Sequence, residues 1–208
     1  MDVIRAASSL GYLVIADAKR GDIGSTAEAY ARAHLEVAGA DAVTVNPWFG
    51  TDGLEPFLRR ARDAGKGVFV LVKTSNPTSA ELLDQVLADG DLVYEHMAGL
   101  LRGWAAGTFG ESGYASVAAV VGGTHPSQVA ALRAALPGIL FLVPGYGSQG
   151  ATVEHVAGAF DENGTGALVN SARAILYAYR SRKEPWAEAA RQEAELMRAA
   201  LWRAAGRS

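Results

Sequence analysis

Two oppositely charged side chains at the end of an apolar run are the residues of this sequence best suited to chemistry. Asp17 and Lys19 lie two positions apart in the run Ala16-Asp17-Ala18-Lys19. On a β-strand, residues at this spacing share a face, so a carboxylate and an ammonium group are expected side by side. The pair is either an ion pair that closes the end of a sheet or a charged pair retained for chemistry. Asp22 follows on the turn into a helix, where an acidic residue can also serve the helix dipole.

Polar residues follow five further apolar runs in the same way. They occupy residues 44–47, 73–77, 122–126, 144–150 and 170–173. In parallel α/β sheets, catalytic and binding residues gather at the carboxyl ends of the strands. The sequence therefore predicts one edge of the sheet as the functional face.

A phosphate site is predicted from the last two of these segments. Residues 145–150 are rich in glycine and precede a helix, which lets backbone N–H groups approach an anion. Ser171 and Arg173 precede another helix, and an arginine there can bind phosphate with two hydrogen bonds. The four histidines are scattered without ligand spacing, so we predict neither a metal site nor a Ser-His-Asp triad.

The elements that position these residues follow from the apolar pattern. Six continuous apolar runs predict buried parallel strands at residues 12–18, 41–46, 67–73, 115–121, 139–143 and 167–170. Helical periodicity covers residues 25–38, 53–64, 80–104, 127–136 and 152–160, with Ser25 and Ser127 as helix starts. Gly39, Gly65 and Gly138 are expected as left-handed residues after helices. This alternation predicts an α/β fold with a parallel sheet, one domain over residues 1–208, and a C-terminal helix at 184–206 packing outside it.

Composition excludes several classes of protein. The chain has 208 residues, no cysteine, 50% hydrophobic residues and a formal charge of −3. Disulfide scaffolds, thiolate zinc sites and cysteine nucleophiles are thereby excluded, and a dedicated nucleic-acid binder would carry a basic face. No apolar run approaches the roughly 18–20 residues that span a bilayer, and residues 1–5 lack a signal-peptide pattern. We therefore expect a cytoplasmic protein that contacts neither membrane nor nucleic acid.

The quoted motifs resemble one enzyme family. Residues 17–26 are similar to the Asp-x-Lys-x-x-Asp signature of orotidine 5′-phosphate decarboxylase. Residues 43–47, the Lys-Thr-Ser-Asn-Pro at 73–77, the Pro-Gly-x-Gly-x-Gln-Gly at 144–150 and the Arg173 segment resemble the same family, in its longer bacterial subgroup. The resemblance runs in order from about Gly11 to Arg180.

The resemblance implies a TIM (β/α)8-type barrel that forms a homodimer and converts orotidine 5′-monophosphate to UMP without a cofactor or metal. Lys19 would deliver a proton to pyrimidine C6 and Asp17 would face the substrate carboxylate. Asp22, with Ile23 and Thr26, would reach the partner subunit's site. Ser75 would contact the pyrimidine amide edge. Gln149 and Arg173 would hold the phosphate, together with the loop residues Pro144, Gly145, Gly147 and Gly150, and Asn46 is a further candidate for substrate binding.

The strand count departs from the family. Only six strands can be counted where a closed barrel needs eight, and we expect roughly 50–70 further residues, two βα units, before Met1. Two other functions stay open from the sequence. One is a metal-dependent sugar-phosphate decarboxylase or synthase that shares the Asp-x-Lys-x-x-Asp motif, and the other is an inactive, truncated barrel that binds phosphate.

Overall fold

The computed structural model of the chain describes residues 2–147 and 149–207. The chain folds as two compact units. Unit 1 comprises Met1–Val72, Tyr94–Val120 and Gly138–Leu140, and unit 2 comprises Lys73–Val93, Val121–Pro137 and Phe141–Ser208. Whether residues 1–208 act as a single domain stays a prediction.

The described residues contain six strands, as the sequence predicts. They are β1 (Ile15–Arg20), β2 (Ala42–Val45), β3 (Gly67–Lys73), β4 (Val117–Val121), β5 (Phe141–Val143) and β6 (Ala167–Val169). The strands follow one another in the sheet in chain order, and β1–β2, β2–β3 and β5–β6 pair in parallel. Every residue of β2 and β4 is buried, as expected for strands covered on both faces. The α/β class and the strand count are thereby confirmed.

Helices connect these strands. In the described part of the chain they are α1 (Asp2–Ser9), α2 (Gly24–Arg32), α3 (Gly50–Ala64), α4 (Ala80–Leu83), α5 (Val93–Ala105), α6 (Pro126–Ala135), α7 (Val153–Ala157), α8 (Arg173–Leu176) and α9 (Trp186–Ala204). A π-helical turn, Ala33–Val37, extends α2. Gly39, Gly65 and Gly138 have φ angles of +76°, +61° and +70°, which confirms the left-handed conformation expected of them.

The prediction of one long helix at residues 80–104 is wrong. α4 ends at Leu83, and the chain then makes an antiparallel bridge between Val86 and Leu92 before α5 begins. Gly90, with a φ angle of +96°, lies in the turn that closes this bridge. The Asp89-Gly90 turn signal therefore overrides the apolar periodicity on either side.

The predicted helix starts are also displaced. α2 begins at Gly24 with Ile23 as its N-cap residue, not at Ser25. α6 begins at Pro126 with His125 as its N-cap residue, not at Ser127. Proline suits the first helical turn because its missing N–H would be unpaired there in any case.

Each unit has its own packing. In unit 1, α2 lies against α3, with Phe57 and Leu54 fully buried, and Arg60 donates hydrogen bonds to Glu28 and Glu36. In unit 2, α9 lies against α7 and α8, and the Arg133 guanidinium lies 4.1 Å from the ring centroid of buried Phe141. Among the described residues, none of the helices combines the length and apolarity that crossing a membrane would require.

We predict that Gly138→Ala destabilises the chain more than Gly39→Ala. Both positions have a left-handed backbone, so an added Cβ is strained at each. At Gly138 that Cβ would also lie 2.7 Å from Phe109 and 2.9 Å from the carbonyl oxygen of Gly113, whereas nothing lies within 4 Å at Gly39. The free energy of unfolding in urea should therefore fall by about 1–3 kcal/mol more for Gly138→Ala. Equal losses in the two variants would contradict the packing described.

Candidate functional site

The charged cluster of unit 1 consists of Asp17, Lys19, Thr44 and Asn46. Lys19 Nζ lies 2.5 Å from Asp17 Oδ1, as the sequence predicts for the pair. The hydroxyl of Thr44 donates to the same Asp17 oxygen at 3.0 Å and accepts the N–H of Lys19 at 2.9 Å. The amide of Asn46 donates to the carbonyl oxygen of Lys19 at 3.3 Å. Thr44 and Asn46 therefore hold the charged pair in place through the side chain of Asp17 and the backbone of Lys19.

The backbone that carries this pair is irregular. Between Ala16 and Arg20, β1 advances four residues while its partner β2 advances only two, from Val43 to Val45. Lys19 has a φ angle of +48°, and it is the one non-glycine residue with positive φ in the described part of the chain. A bulge of this kind redirects side chains and is frequent beside active sites. A lysine in the left-handed region costs roughly 1–2 kcal/mol, so its conformation needs support from its neighbours.

The Asp17–Lys19 ion pair contributes little to stability. The Asp17 and Lys19 side chains retain 58% and 50% of their solvent exposure. Exposed pairs of this kind stabilise proteins by about 0–1 kcal/mol, which does not exceed the strain at Lys19. The alternative that the pair merely closes the end of the sheet is therefore disfavoured on energetic grounds.

Asn46 contributes an enclosed oxygen to the cluster. Its Oδ1 is buried and has no hydrogen-bond partner among the described residues. Gly21 makes room for this side chain, because a Cβ at position 21 would lie 2.4 Å from Asn46 Nδ2. A buried acceptor without a partner is unfavourable unless a ligand or water satisfies it.

Asp22, Ile23 and Thr26 lie beside the charged cluster in sequence, at the start of α2. Asp22 Oδ1 accepts the N–H of Ile23 at 2.8 Å, and no described hydrogen bond or ion pair joins it to Lys19. Ile23 is 57% exposed, and Thr26 is exposed as well. These residues face solvent in the single chain, together with Trp48 and Phe49 on the loop after β2.

The polar cluster of unit 2 consists of Ser75, Thr124 and Gln149. Ser75 donates its hydroxyl hydrogen to Gln149 Oε1 at 2.6 Å, and Thr124 donates to the Ser75 carbonyl oxygen at 3.2 Å. A cavity of about 370 Å³ adjoins the cluster, and it is lined by Ser75, Asn76, Pro77, Thr124, His125 and Gln149. The structure thus brings together Ser75 and Gln149, which are 74 residues apart.

The glycine-rich loop at residues 145–150 is held mainly by its own backbone. Gly145, Gly147 and Gly150 have φ angles of +109°, +73° and +94°. The N–H of Gly147 donates to Ala151 and that of Gly150 to Gly147, so both amides are used within this segment. The carbonyl oxygen of Pro144 accepts the N–H of Gly123, which joins the loop to the chain after β4. Ser148, part of the predicted loop, lies outside the described residues.

Arg173 is exposed and opens α8. The start of this helix lies near the glycine-rich loop, because a Cβ at Gly147 would lie 3.5 Å from the Cβ of Ala174 and 3.7 Å from Ser171 Oγ. Ser171 Oγ also lies 3.4 Å from the carbonyl oxygen of Tyr146. In the described part of the chain, the Arg173 guanidinium makes no hydrogen bond or ion pair, which leaves its five N–H donors for a ligand.

Sequence reasoning missed three residues of these clusters as site residues. Thr44 is fully buried and joins Asp17 to the Lys19 backbone, Thr124 holds Ser75, and His125 lines the cavity. All three lie in or beside the polar segments at strand ends, and this position is the signal that could have identified them.

His34 lies outside these clusters and accepts a hydrogen bond from Arg20. Its pKa is lowered, mainly by burial and to a smaller extent by the positive charge of Arg20. No group of three possible metal ligands occurs within residues 2–147 and 149–207.

Comparison with known proteins identifies the relatives of this chain. The sequence model described as the orotidine 5′-phosphate decarboxylase / HUMPS family matches residues 1–189. The orotidine 5′-phosphate decarboxylase of Rhodopirellula baltica is 45% identical over 186 residues, which cover 86% of this chain and 61% of that protein. The enzyme of the same name from Deinococcus radiodurans is 47% identical over 178 residues, which cover 85% of this chain and 64% of that protein. The chain therefore spans less than two thirds of the length of these relatives.

Solved structures give the same result for the fold. The structure of Leishmania donovani OMP decarboxylase matches with a TM-score of 0.76 and 35% identity, covering 97% of this chain and 73% of that one. The TIM-type α/β fold expected from the sequence is thereby confirmed, with six strands in the described part of this chain.

We predict that Lys19→Gly is more stable than Lys19→Ala by about 1 kcal/mol, since glycine adopts a positive φ angle without strain. The matched control is Arg20, where φ is not positive. There, Arg20→Gly should be less stable than Arg20→Ala, because glycine weakens an ordinary strand. Urea unfolding of the four variants measures both differences. The same order of stability at both positions would contradict the strained backbone at Lys19.

Proposed function

This chain belongs to the orotidine 5′-phosphate decarboxylase / HUMPS family, and we propose that its protein decarboxylates orotidine 5′-monophosphate to UMP, the last step of de novo pyrimidine nucleotide synthesis. The observation that carries this proposal is the ammonium group of Lys19, held 2.5 Å from Asp17 on a strained and bulged strand. The relatives bearing the decarboxylase name also favour this reaction over that of a metal-dependent sugar-phosphate enzyme.

The proposed chemistry needs a cation next to the reacting carbon. When the bond between C6 and the carboxylate breaks, CO₂ leaves and the electron pair stays in an sp² orbital at C6, outside the π system of the ring. Lys19 would stabilise this developing charge and then transfer a proton to C6, after which water would restore its own proton. A fixed ammonium group interacts more strongly with the transition state than with the neutral ground-state carbon, and this difference is what accelerates the reaction.

Asp17 would face the carboxylate of the substrate. Two negative groups at close range repel each other, and loss of CO₂ relieves this repulsion. Thr44 supports the role, since its hydroxyl group fixes the orientation of the Asp17 carboxylate. Asn46, with its enclosed and unpartnered oxygen, would accept a hydrogen bond from the nucleotide or from a water bound with it.

The residues of unit 2 suit the parts of the nucleotide that do not react. Ser75 would hydrogen-bond the pyrimidine amide edge, while Gln149 and Arg173 would hold the phosphate, with Pro144, Gly145, Gly147 and Gly150 forming the loop. The guanidinium group of Arg173, which has no ion-pair partner in the part of the chain that the structure describes, supports this assignment, because it can pair with phosphate through two hydrogen bonds.

We also propose that the protein is a cytoplasmic homodimer in which Asp22, Ile23 and Thr26 contact the partner. Ile23, Trp48 and Phe49 support the dimer, because they are 57%, 61% and 44% exposed, and exposed large apolar side chains mark interaction surfaces. Sedimentation velocity measures the mass in solution. Replacement of Ile23 and Trp48 by serine should shift a dimer toward the monomer. If the parent chain itself sediments with the mass of a monomer, the proposal is contradicted.

We expect the chain to consume orotidine 5′-monophosphate, measured by ultraviolet absorbance, and Lys19→Ala to lower the rate at least about a thousandfold. UMP binding by this variant should persist in weakened form, because the phosphate contacts remain. Lys183→Ala is the matched control, since Lys183 is exposed and lies far along the chain from the cluster. Turnover that disappears with a strong chelator would favour the metal-dependent alternative. Binding of UMP without any turnover by the parent would favour the inactive phosphate-binding alternative.

Arg173→Ala should weaken UMP binding by about 1.5–3 kcal/mol, the contribution of a charged hydrogen bond. Uridine, which lacks the phosphate, should bind the variant and the parent equally. Arg180→Ala is the matched control, because Arg180 is another exposed arginine, stacked on Tyr177 and away from the loop. Titration calorimetry with both ligands checks the result. Equal loss of UMP and uridine affinity in Arg173→Ala would contradict the assignment of Arg173 to the phosphate.

A further inference from the structure

An ion pair between a buried lysine and a partly exposed aspartate joins the two ends of the segment of unit 2 that carries Ser75. Lys73 is the last residue of β3, and its side chain has no solvent exposure. Its Nζ lies 2.5 Å from Oδ1 of Asp84, the residue that follows α4. Residues 74–83, with Ser75 near their start, therefore lie between two residues that are ion-paired to each other.

A third element joins the pair. Gln128, in the first part of α6, donates from Nε2 to the same Asp84 oxygen at 3.3 Å. Burial acts to raise the pKa of Asp84, but the hydrogen bond and charge of Lys73, with a smaller contribution from Gln128, hold this pKa below its ordinary value. The Asp84 carboxylate is thus ionised at neutral pH.

The same segment is held tightly where Ser75 lies. The N–H of Gly122 donates to the carbonyl oxygen of Lys73 at 2.8 Å, and Thr124 donates to that of Ser75. A Cβ at Gly122 would lie 2.6 Å from the Ser75 nitrogen, so the two backbones are in direct contact. A shift of this segment would therefore move the hydroxyl of Ser75 away from Gln149 and change the cavity that both residues line.

A buried ion pair is an inefficient way to stabilise a fold. Removal of two charges from water offsets most of their attraction, and apolar residues of similar volume often stabilise a protein equally well or better. The pair does, however, favour one arrangement, because a displaced Asp84 would remove a carboxylate charge that faces the buried Lys73 ammonium group. The pair is thus better suited to fixing the arrangement of residues 74–83 than to stabilising the fold.

We propose that Lys73, Asp84 and Gln128 are positioning residues that fix residues 74–83, so that Ser75 meets the pyrimidine edge of the nucleotide. This inference rests on the proposed function for the identity of the ligand. It assigns to the network a share in recognising the base and none in holding the phosphate, which falls to Gln149 and Arg173.

The test compares single variants with a double variant. Asp84→Asn alone should lower the unfolding temperature, because it removes the carboxylate charge that faces the buried Lys73 ammonium group. Lys73→Met alone should lower it less, because the Asp84 carboxylate that it leaves behind is partly exposed. The double variant Lys73→Met/Asp84→Leu should regain the unfolding temperature of the parent. Its affinity for UMP should nevertheless fall about tenfold, while its affinity for ribose 5-phosphate changes less than about threefold. A pair with a purely stabilising role would leave both affinities of the double variant unchanged.

The control is a second ion pair of unit 2, between Arg182 and Glu193 of α9. Arg182→Met/Glu193→Leu should bind UMP and ribose 5-phosphate as the parent does. UMP affinity of Lys73→Met/Asp84→Leu within twofold of the parent would overturn the proposal, and so would an equal loss of affinity in the control.

Hydrogen exchange separates this inference from the proposed function. If the parent does not bind UMP, the proposed function fails. The exchange rates of the backbone amides of residues 74–79 then test the inference on their own. They should exchange at least about tenfold faster in the double variant than in the parent, and at the parental rate in the control. Unchanged exchange would overturn the proposal. Should the double variant not fold, Asp84→Asn, which keeps the volume of the side chain, takes its place in both measurements.

Discussion

The left-handed backbone at Lys19 is the constraint on which the charged cluster of unit 1 depends. A lysine in this conformation is strained, and two hydrogen bonds oppose the strain, one from its N–H to Thr44 and one from Asn46 to its carbonyl oxygen. Both partners lie on β2 or just after it, so parallel pairing of β1 with β2 places the donors and acceptors that the bulge requires. The fully buried Thr44 then also orients Asp17. The geometry of the charged pair is therefore a consequence of the strand pairing beneath it.

Unit 2 reaches a similar rigidity by different means. Its polar cluster consists of neutral hydroxyl and amide groups, and the close approach of Gly122 to the Ser75 backbone leaves that residue little freedom. The charged pair of the same segment is separate from this cluster, with the Lys73 side chain fully buried and the Asp84 side chain 27% exposed. The two arrangements would suit the proposed chemistry. A half-exposed ammonium group could exchange protons with water, whereas neutral donors and acceptors could bind a pyrimidine edge without the cost of desolvating a charge.

The sequence was a good guide to the strands and to the residues at their ends. Each of the six apolar runs overlaps a strand, because a continuous apolar stretch bounded by polar turns has few other solutions in an α/β chain. The helices were harder to predict, and the break after Leu83 arose from a local turn at Asp89-Gly90 that periodicity does not register. The spacing of Asp17 and Lys19 correctly predicted their contact. The prediction assumed a regular strand, however, and β1 is bulged at these residues. Thr44 and Thr124 could not be assigned because their partners lie 25 to 49 residues away.

The balance of energies explains why such a cluster needs its surroundings. The strain at Lys19 and the Asn46 oxygen, which has no hydrogen-bond partner among the described residues, both oppose folding, and the half-exposed ion pair offsets only a small part of this. The remainder must come from the apolar packing of unit 1, in which the residues of β2 and Leu54 and Phe57 of α3 are buried. A site that lowers stability persists only where the groups concerned are used, because substitutions that relieve the strain are otherwise easy to find. The unfavourable conformation of Lys19 is thus itself an argument that its ammonium group acts on a ligand.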